Sequence, residues 1–264
     1  LSDLKLLKSP KLRIILQILS VFFIINFLDI YLINTRIHIL DFLLEYKMFN
    51  LFFICFCILI IINGSNFIDG VNNSTLGYYI VILIILLIFE TNQFLIIPFV
   101  KISYLLAILT TLLFFNFLNK LYLGDSGSCQ LGLLFSLLLI QLYIENQFIS
   151  PFYIINLLWY PAFENLFSIF RKLTFSRSPI KADKNHLHQL IFLKFKQKKV
   201  SKNLIYLNNL TGILIVIYNL LILSFSSMFI QNTQIQIIII LFNIFLYIFI
   251  YRKLLNAKTS RGQI

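Results

Sequence analysis

Residues 63 to 73 read Asn63-Gly64-Ser65-Asn66-Phe67-Ile68-Asp69-Gly70-Val71-Asn72-Asn73, a polar stretch with one carboxylate, set between apolar runs at 48 to 62 and 75 to 90. The flanking runs decide the fold. At 1.5 Å per helical residue, about 20 apolar residues cross the hydrocarbon of a bilayer. In lipid every backbone polar group must be satisfied within the segment, so such runs are helices and not open strands. Applied along the chain, the same test gives eight candidate spans, near 12 to 34, 48 to 62, 75 to 90, 94 to 117, 128 to 145, 152 to 170, 206 to 226 and 233 to 251. The second and third are short and are expected to continue into their flanks. Lys101 in the fourth would cost about 2.5 to 3.5 kcal/mol at mid-membrane, so either it snorkels outward or the span starts after it. Composition agrees: 59% of residues are hydrophobic and only 12% charged, against roughly 25% charged in soluble domains. The expected fold is all-α, a polytopic transmembrane helix bundle of about eight spans with cytosolic catalytic loops, forming one domain over 1–264.

Charge orients the bundle. If the first residues are cytosolic, eight crossings leave 1 to 11, 63 to 74, 118 to 127, 171 to 205 and 252 to 264 on the cytosolic side. With Arg13 at the edge of the first span, these hold 19 of the 22 Lys and Arg residues; Arg36, Lys47 and Lys101 fall elsewhere. That is the positive-inside pattern. The expected location is the cell inner (cytoplasmic) membrane, with membrane lipid as a partner. The basic run within 171 to 202 is read as this signal plus attraction to anionic lipid, and no nucleic acid partner is expected. Cys55, Cys57 and Cys129 make an odd count, two of them deep in an apolar run, and suit buried small hydrophobes better than a disulfide framework or metal site. The chain opens on Leu1 with basic residues close behind and no signal peptide. It reads as lacking N-terminal spans.

The parity also puts three polar islands on one face. Beside 63 to 73 stand Gly124-Asp125-Ser126-Gly127-Ser128 and Asp183-Lys184-Asn185-His186-Leu187-His188. Asn63, Asn66, Asp69 and Asn72 are spaced by threes and would share one helix face; Asn-Gly and Asp-Gly are equally ordinary turn dipeptides. Asp125 suits a cap at the start of the 128 to 145 span, and the glycines around it allow close approach to a phosphate. The stretch 171 to 202 carries ten Lys or Arg and one acid, the 171–205 region being the basic cytosolic loop. Within it, His186 and His188 offer donors to phosphate oxygens; a zinc site is not favoured with no Cys nearby. Glu164, inside a span, must face protein or water, because an acid in lipid is costly.

Taken together, Asn63 to Asn72, then Lys120-Leu-Tyr122-Leu-Gly124-Asp125-Ser-Gly-Ser128, then Ser178-Pro179 ahead of Asp183 to His188, resemble the ordered signatures of the polyprenyl-phosphate N-acetylhexosamine-1-phosphate transferases, the WecA and MraY superfamily. The resemblance runs from residue 1 to about 193. It implies transfer of a HexNAc 1-phosphate from a UDP-N-acetylhexosamine to a membrane polyprenyl (undecaprenyl) phosphate, with release of UMP, as the first lipid-linked step of cell-surface polysaccharide synthesis. It implies Mg2+ as cofactor, with Mn2+ as a substitute, and allows a homodimer. By similarity Asp125 is the metal ligand and Asp69 the acid of the Asp-Gly motif. Tyr122 stands where an aromatic ring stacks on uracil, with Lys120 in the same motif and Asn116 at the head of its segment. Asn63, Asn66, Gly70 and Asn72 lie around nucleotide and phosphates, and His186 and His188 correspond to phosphate-binding histidines. Asp3, followed by Ser9-Pro10-Lys11-Leu12-Arg13, resembles the paired-acid segment whose carboxylate deprotonates or positions the lipid phosphate.

Electrostatics accords with that set. Two phosphate-bearing anions repel by about 4 kcal/mol per unit-charge pair at 4 Å and an effective dielectric of 20, so a cation and basic side chains are needed before in-line attack. Magnesium takes one or two carboxylates, substrate oxygens and retained waters. Three departures from the family pattern stand out. The paired acids appear as Ser2-Asp3, the Asn116 to Asp125 segment is one residue short and lacks prolines, and the histidine motif reads His186-Leu187-His188-Gln189 in place of a triple histidine. The last favours the WecA-like branch over the muramoyl-pentapeptide branch, with the Arg171 to Lys202 loop as specificity element. The competing classes are a non-catalytic truncated homologue and a transporter; a transporter would place polar residues near mid-span at broken helices.

Overall fold

The computed structural model of the protein describes residues 10–91, 101–174 and 185–259. Among these, eleven helices and no strand are found: α1 Pro10–Phe27, α2 His38–Leu44, α3 Lys47–Ile68, α4 Ser74–Thr91, α5 Ile102–Phe117, α6 Gly124–Glu145, α7 Pro151–Leu157, α8 Trp159–Thr174, α9 Leu187–Gln197, α10 Leu204–Ser227 and α11 Thr233–Thr259. Four of them, α3, α6, α10 and α11, are long and apolar enough to cross a membrane; Ser74–Phe89 and Ile102–Phe117 are apolar but shorter. Large apolar side chains face outward, among them Phe23, Phe27, Phe170, Leu221 and Phe245. Helices that are apolar on their outer faces as well as their inner ones belong in lipid.

The boundaries follow local chemistry. As expected for the short second run, α3 continues past residue 62 to Ile68. Directly after Lys101, α5 starts, with that lysine exposed at its N-cap. The run 152 to 170 is not one helix but two, α7 and α8, broken at Leu158. Pro161 explains the break. It has no N–H to give to the carbonyl four residues back, at Leu157, and the Tyr78 hydroxyl donates to that carbonyl instead, at 2.8 Å.

At the centre α3 packs on α6, α8 and α1. Two glycines allow the close approach that drives helix association in lipid. A Cβ on Gly64 would lie 2.0 Å from the Pro161 carbonyl oxygen, and one on Gly132 would lie 2.9 Å from the Ile62 Cα. On the other flank, α7, α8, α10 and α11 are joined by buried amides. Asn156 donates to the Gln236 side chain at 2.6 Å and the Trp159 indole to Asn219 at 2.9 Å, while Gln236 donates to the carbonyls of Ser226 and Phe229.

Polar clasps close the two ends. At one end Arg36 donates to the carbonyls of Phe148, Ile149 and Gln231 and to the Thr233 hydroxyl, drawing together the α1–α2, α6–α7 and α10–α11 connections. At the other end are six asparagines. The Asn73 amide N–H donates to Asn116 at 2.7 Å and its side chain to Asn209 at 3.2 Å; the Asn72 N–H donates to the Asn208 side-chain oxygen at 3.1 Å and its side chain to Asn119 at 3.1 Å. Asn73 and Asn119 take positive φ, 66° and 59°, a conformation asparagine tolerates better than most side chains. Gly212 of α10 makes room for this turn, since a Cβ there would meet the Asn72 carbonyl oxygen at 1.9 Å. The start of α4, the end of α5 and the start of α10 therefore meet at one end of the bundle.

Candidate functional site

At the asparagine end, α3 delivers its last turn and α6 its first. Asn63 and Asn66 lie on α3, and Asp69 is the residue that ends it. The three-residue spacing thus holds through Asp69, while Asn72 turns away into the asparagine clasp. Asn66 accepts a hydrogen bond from Ser128 at 3.2 Å, and Asn63 donates to the Leu59 carbonyl at 2.9 Å, with Gln17 of α1 at 3.5 Å. α6 begins at Gly124, which has φ 64°, and Leu123 is its N-cap. Asp125 is therefore not the cap. It lies within the first helical turn, where the helix dipole favours a negative charge.

Its Oδ2 accepts from Arg13 Nη1 of α1 at 2.6 Å, both side chains being part-exposed. Asp69 is close enough to feel the charge on Asp125. Burial pushes the Asp69 carboxyl up to about 7; the Thr75 hydroxyl opposes that rise and Asp125 adds to it. Two neighbouring carboxylates, one of them resisting ionisation, are a donor set that suits a hard divalent cation. No group of three or more His, Cys, Asp or Glu able to cage a metal exists among the described residues. A cation that needs few protein ligands, as magnesium does, would be compatible with this pair.

The histidine island reaches the same place from the other side. A ring nitrogen of His188, Nε2, lies where a Cβ on Gly70 would be, 2.0 Å from the ideal position, so the Asp69-Gly70 pair accommodates the imidazole because it has no side chain there. His188 is fully buried, and neither of its ring nitrogens has a hydrogen-bond partner among the described residues. Burial lowers its pKa to about 4, with Glu164 opposing and His186 reinforcing that shift, which keeps the ring neutral at pH 7. His186 ends the connection into α9, where Gln189 accepts from its backbone N–H at 3.2 Å. Its ring stacks on His188 with centroids 5.7 Å apart and 5° between planes, and tilts against Phe67 at 5.1 Å. Nearby, Lys172 of α8 lies over the Phe67 ring at 5.9 Å, and Arg171 donates to the Asn185 carbonyl and the Tyr251 hydroxyl.

Asp69, Gly70, Asp125, His186 and His188 thus meet at one end of the bundle, with Asn63 and Asn66 beside them. Asn72 and Asn116 are buried and occupied with each other's neighbours: Asn116 accepts from the Asn73 N–H and donates to the Leu121 carbonyl at 2.7 Å. Lys120 and Tyr122 sit on the α5–α6 connection, and Tyr122 is 68% exposed, so its ring face is open. Asp3 and Ser2, with Ser178, Pro179 and Asp183, lie outside the described residues. The basic loop expected over 171–205 contains a helix, α9, whose buried face carries Leu187, His188 and Leu190. Sequence reasoning had not assigned Arg13 to Asp125 or Glu164 to His186; only the cost of an acid in a span marked Glu164 as needing a partner.

Comparison with known proteins adds one finding. The family model described as Glycosyl transferase family 4 matches residues 1–143, which take in the chain through most of α6, including Asp69 and Asp125 but not His186 and His188. No curated protein and no solved structure matches the chain. With more than half its length matched and the two carboxylate islands brought together at one end of an apolar helix bundle, the chain belongs to glycosyl transferase family 4, the WecA and MraY superfamily, a family of membrane transferases that move phospho-sugars onto polyprenyl phosphate.

Proposed function

We propose that the protein transfers a HexNAc 1-phosphate from a UDP-N-acetylhexosamine to a membrane polyprenyl phosphate and releases UMP, with the bundle crossing the inner membrane eight times and the site facing the cytosol. The observation that carries this reading is that Asp69, which feels the charge on Asp125, is followed by Gly70, against which the His188 ring packs. The crossings are α1, α3, α4, α5, α6, the broken pair α7 and α8, α10 and α11; α2 and α9 lie at the ends. The far-end clasp of Arg36 and the near-end meeting of Asn73, Asn116 and Asn209 support this alternation.

In this reading Asp125 holds a magnesium ion, which when bound neutralises the diphosphate oxygens and the charge that develops on them. Asp69 shares the negative field that draws the ion in. Arg13 balances Asp125 before substrate arrives and is placed to face an incoming phosphate. His186 and His188 hold phosphate oxygens through ring N–H groups. Tyr122, with its open face, stacks on the uracil, and Lys120 lies next to it. Asn63 and Asn66 border the nucleotide from α3, while Asn72 and Asn116 hold the α3–α4 turn that carries Asp69 in place. The proton on the lipid phosphate is taken by Asp3. The His-Leu-His-Gln pattern supports a simple UDP-HexNAc donor over a peptide-bearing one.

A broken helix with buried amides also belongs to transporters. Here Asn156, Asn219 and Gln236 are hydrogen-bonded across helices, which is the role of glue between spans. The deciding experiment measures UMP release from UDP-GlcNAc and undecaprenyl phosphate by the detergent-solubilised protein with magnesium. UMP formed in step with lipid-linked diphospho-sugar is the expected result; its absence with UDP-GlcNAc and UDP-GalNAc alike sinks the reading, and turnover of UDP-MurNAc-pentapeptide alone would move the protein to the other branch.

A further inference from the structure

One buried acid at the site end has no part in the chemistry above. Glu164 of α8 is 1% exposed. Its two oxygens are divided between two elements: Oε1 meets His186 Nδ1 at 2.8 Å, and Oε2 accepts from the Tyr247 hydroxyl of α11 at 2.6 Å. Burying a carboxylate is costly even when it is paired, and apolar residues of like volume often stabilise a fold at least as well. Packing alone therefore gives no reason for an acid at this position.

The histidine supplies one. A carboxylate on one imidazole nitrogen fixes the ring's orientation and tautomer and leaves the other nitrogen as the only one able to reach a ligand. With Nδ1 taken by Glu164, His186 has only Nε2 to offer. The neighbouring ring of His188 is parallel at 5.7 Å, and its nitrogens are buried without partners. Unsatisfied buried polar atoms call for a partner, and none of the described residues provides one. We infer that Glu164, anchored by Tyr247, is the positioning residue that sets His186 beside His188 as a two-ring cradle for the diphosphate of the sugar donor. The inference rests on the transferase reading for the identity of that anion.

Three histidines, His38, His186 and His188, make up the chain's total, and His38 lies exposed at the far end of the bundle. Selective 15N-histidine labelling therefore reports the two site rings, with His38→Gln to assign the third signal. In the wild-type protein one site ring is expected to show a protonated, strongly hydrogen-bonded Nδ1, and Glu164→Gln is expected to shift that signal. Kinetically, Glu164→Gln should raise the KM for UDP-GlcNAc and lower kcat/KM by about 10- to 100-fold, as removal of an outer partner of a ligating histidine does, while the magnesium dependence set by Asp125 stays the same. A merely structural role would reduce the amount of active protein and leave KM alone. An unchanged His186 signal, or an unchanged donor KM, overturns the inference. Should Glu164→Gln not fold, Tyr247→Phe decides, since it keeps the carboxylate and removes its anchor: a raised donor KM supports the role and a wild-type KM refutes it. If the wild-type protein releases no UMP, the transferase reading has failed, and the 15N spectra still test whether Glu164 fixes the ring.

Discussion

Asp69 and Asp125 behave differently because their surroundings differ. Asp125 has the first turn of α6 and the Arg13 guanidinium at 2.6 Å, whereas Asp69 is partly buried at the end of α3, where burial and the charge on Asp125 push its carboxyl up to about 7. Asp125→Asn should abolish the metal function with little change in stability. Losing a metal that supplies several kcal/mol of charge stabilisation slows turnover by about a hundredfold or more, while a part-exposed ion pair is worth only about 0 to 1 kcal/mol. UMP release and thermal unfolding measured on the same preparation check both halves. Asp69→Asn should behave the opposite way in stability. Because the folded pKa lies above the ordinary carboxylate value, the folded state prefers the protonated form, and stability is lost as pH rises from about 4 toward 7. In metal-free protein the Asp69→Asn variant should melt higher than wild type at pH 8, with the gap closing toward pH 4, and should still turn over poorly. A gap that widens on acidification would show that Asp69 is stabilised as the ion.

Among the elements, the pair α7 and α8 depends on a single hydroxyl. Pro161 leaves the Leu157 carbonyl without its helical donor, and Tyr78 of α4 supplies one at 2.8 Å. Tyr78→Phe removes it and leaves a buried acceptor unsatisfied, a loss of about 1 to 3 kcal/mol. The expected outcome is a lower melting temperature in detergent with the donor KM unchanged; an unchanged melting temperature would mean that Leu157 finds another donor. That break was not legible in the sequence, because 152 to 170 is apolar enough to pass as one span and the compensating tyrosine is remote from it. What was legible depended on local periodicity. The apolar runs placed both ends of α10 to within two residues and the start of α11, which continues past the expected end at 251 to Thr259, and the spacing of Asn63, Asn66 and Asp69 marked one face of α3. The pairs that finish the site join distant positions: Arg13 with Asp125, Glu164 with His186, Asn73 with Asn209. No helical or strand period links such positions, so Asn72 and Asn116 read as nucleotide contacts when their side chains hold the turn beneath Asp69. The start of α6 was misplaced for a related reason. A carboxylate followed by Ser suggests a cap, but Gly124 takes the positive φ and lets the helix begin one residue before Asp125.

At the scale of the whole molecule, the two ends are chemically unlike. One end is gathered by Arg36 on backbone carbonyls. The other holds Asp69, Asp125, His186 and His188 and most of the described basic residues, with Lys202 and Lys253 exposed there and Lys47 and Asn232 exposed at the far end. Basic residues are retained on the cytosolic side during insertion, so the site end should be cytosolic and the Arg36 end outside. Single cysteines in a background lacking Cys55, Cys57 and Cys129 test this in intact cells with a membrane-impermeant maleimide. Lys47→Cys and Asn232→Cys should label, and Lys202→Cys and Lys253→Cys should not until the membrane is opened; inverted vesicles should reverse the pattern. Labelling of Lys202→Cys and Asn232→Cys from the same side would break the alternation of α10 and with it the eight-crossing topology. Labelling of all four in reverse would keep the topology but put the site outside, away from any nucleotide-activated sugar made in the cytosol, and the transferase reading would then lose its donor.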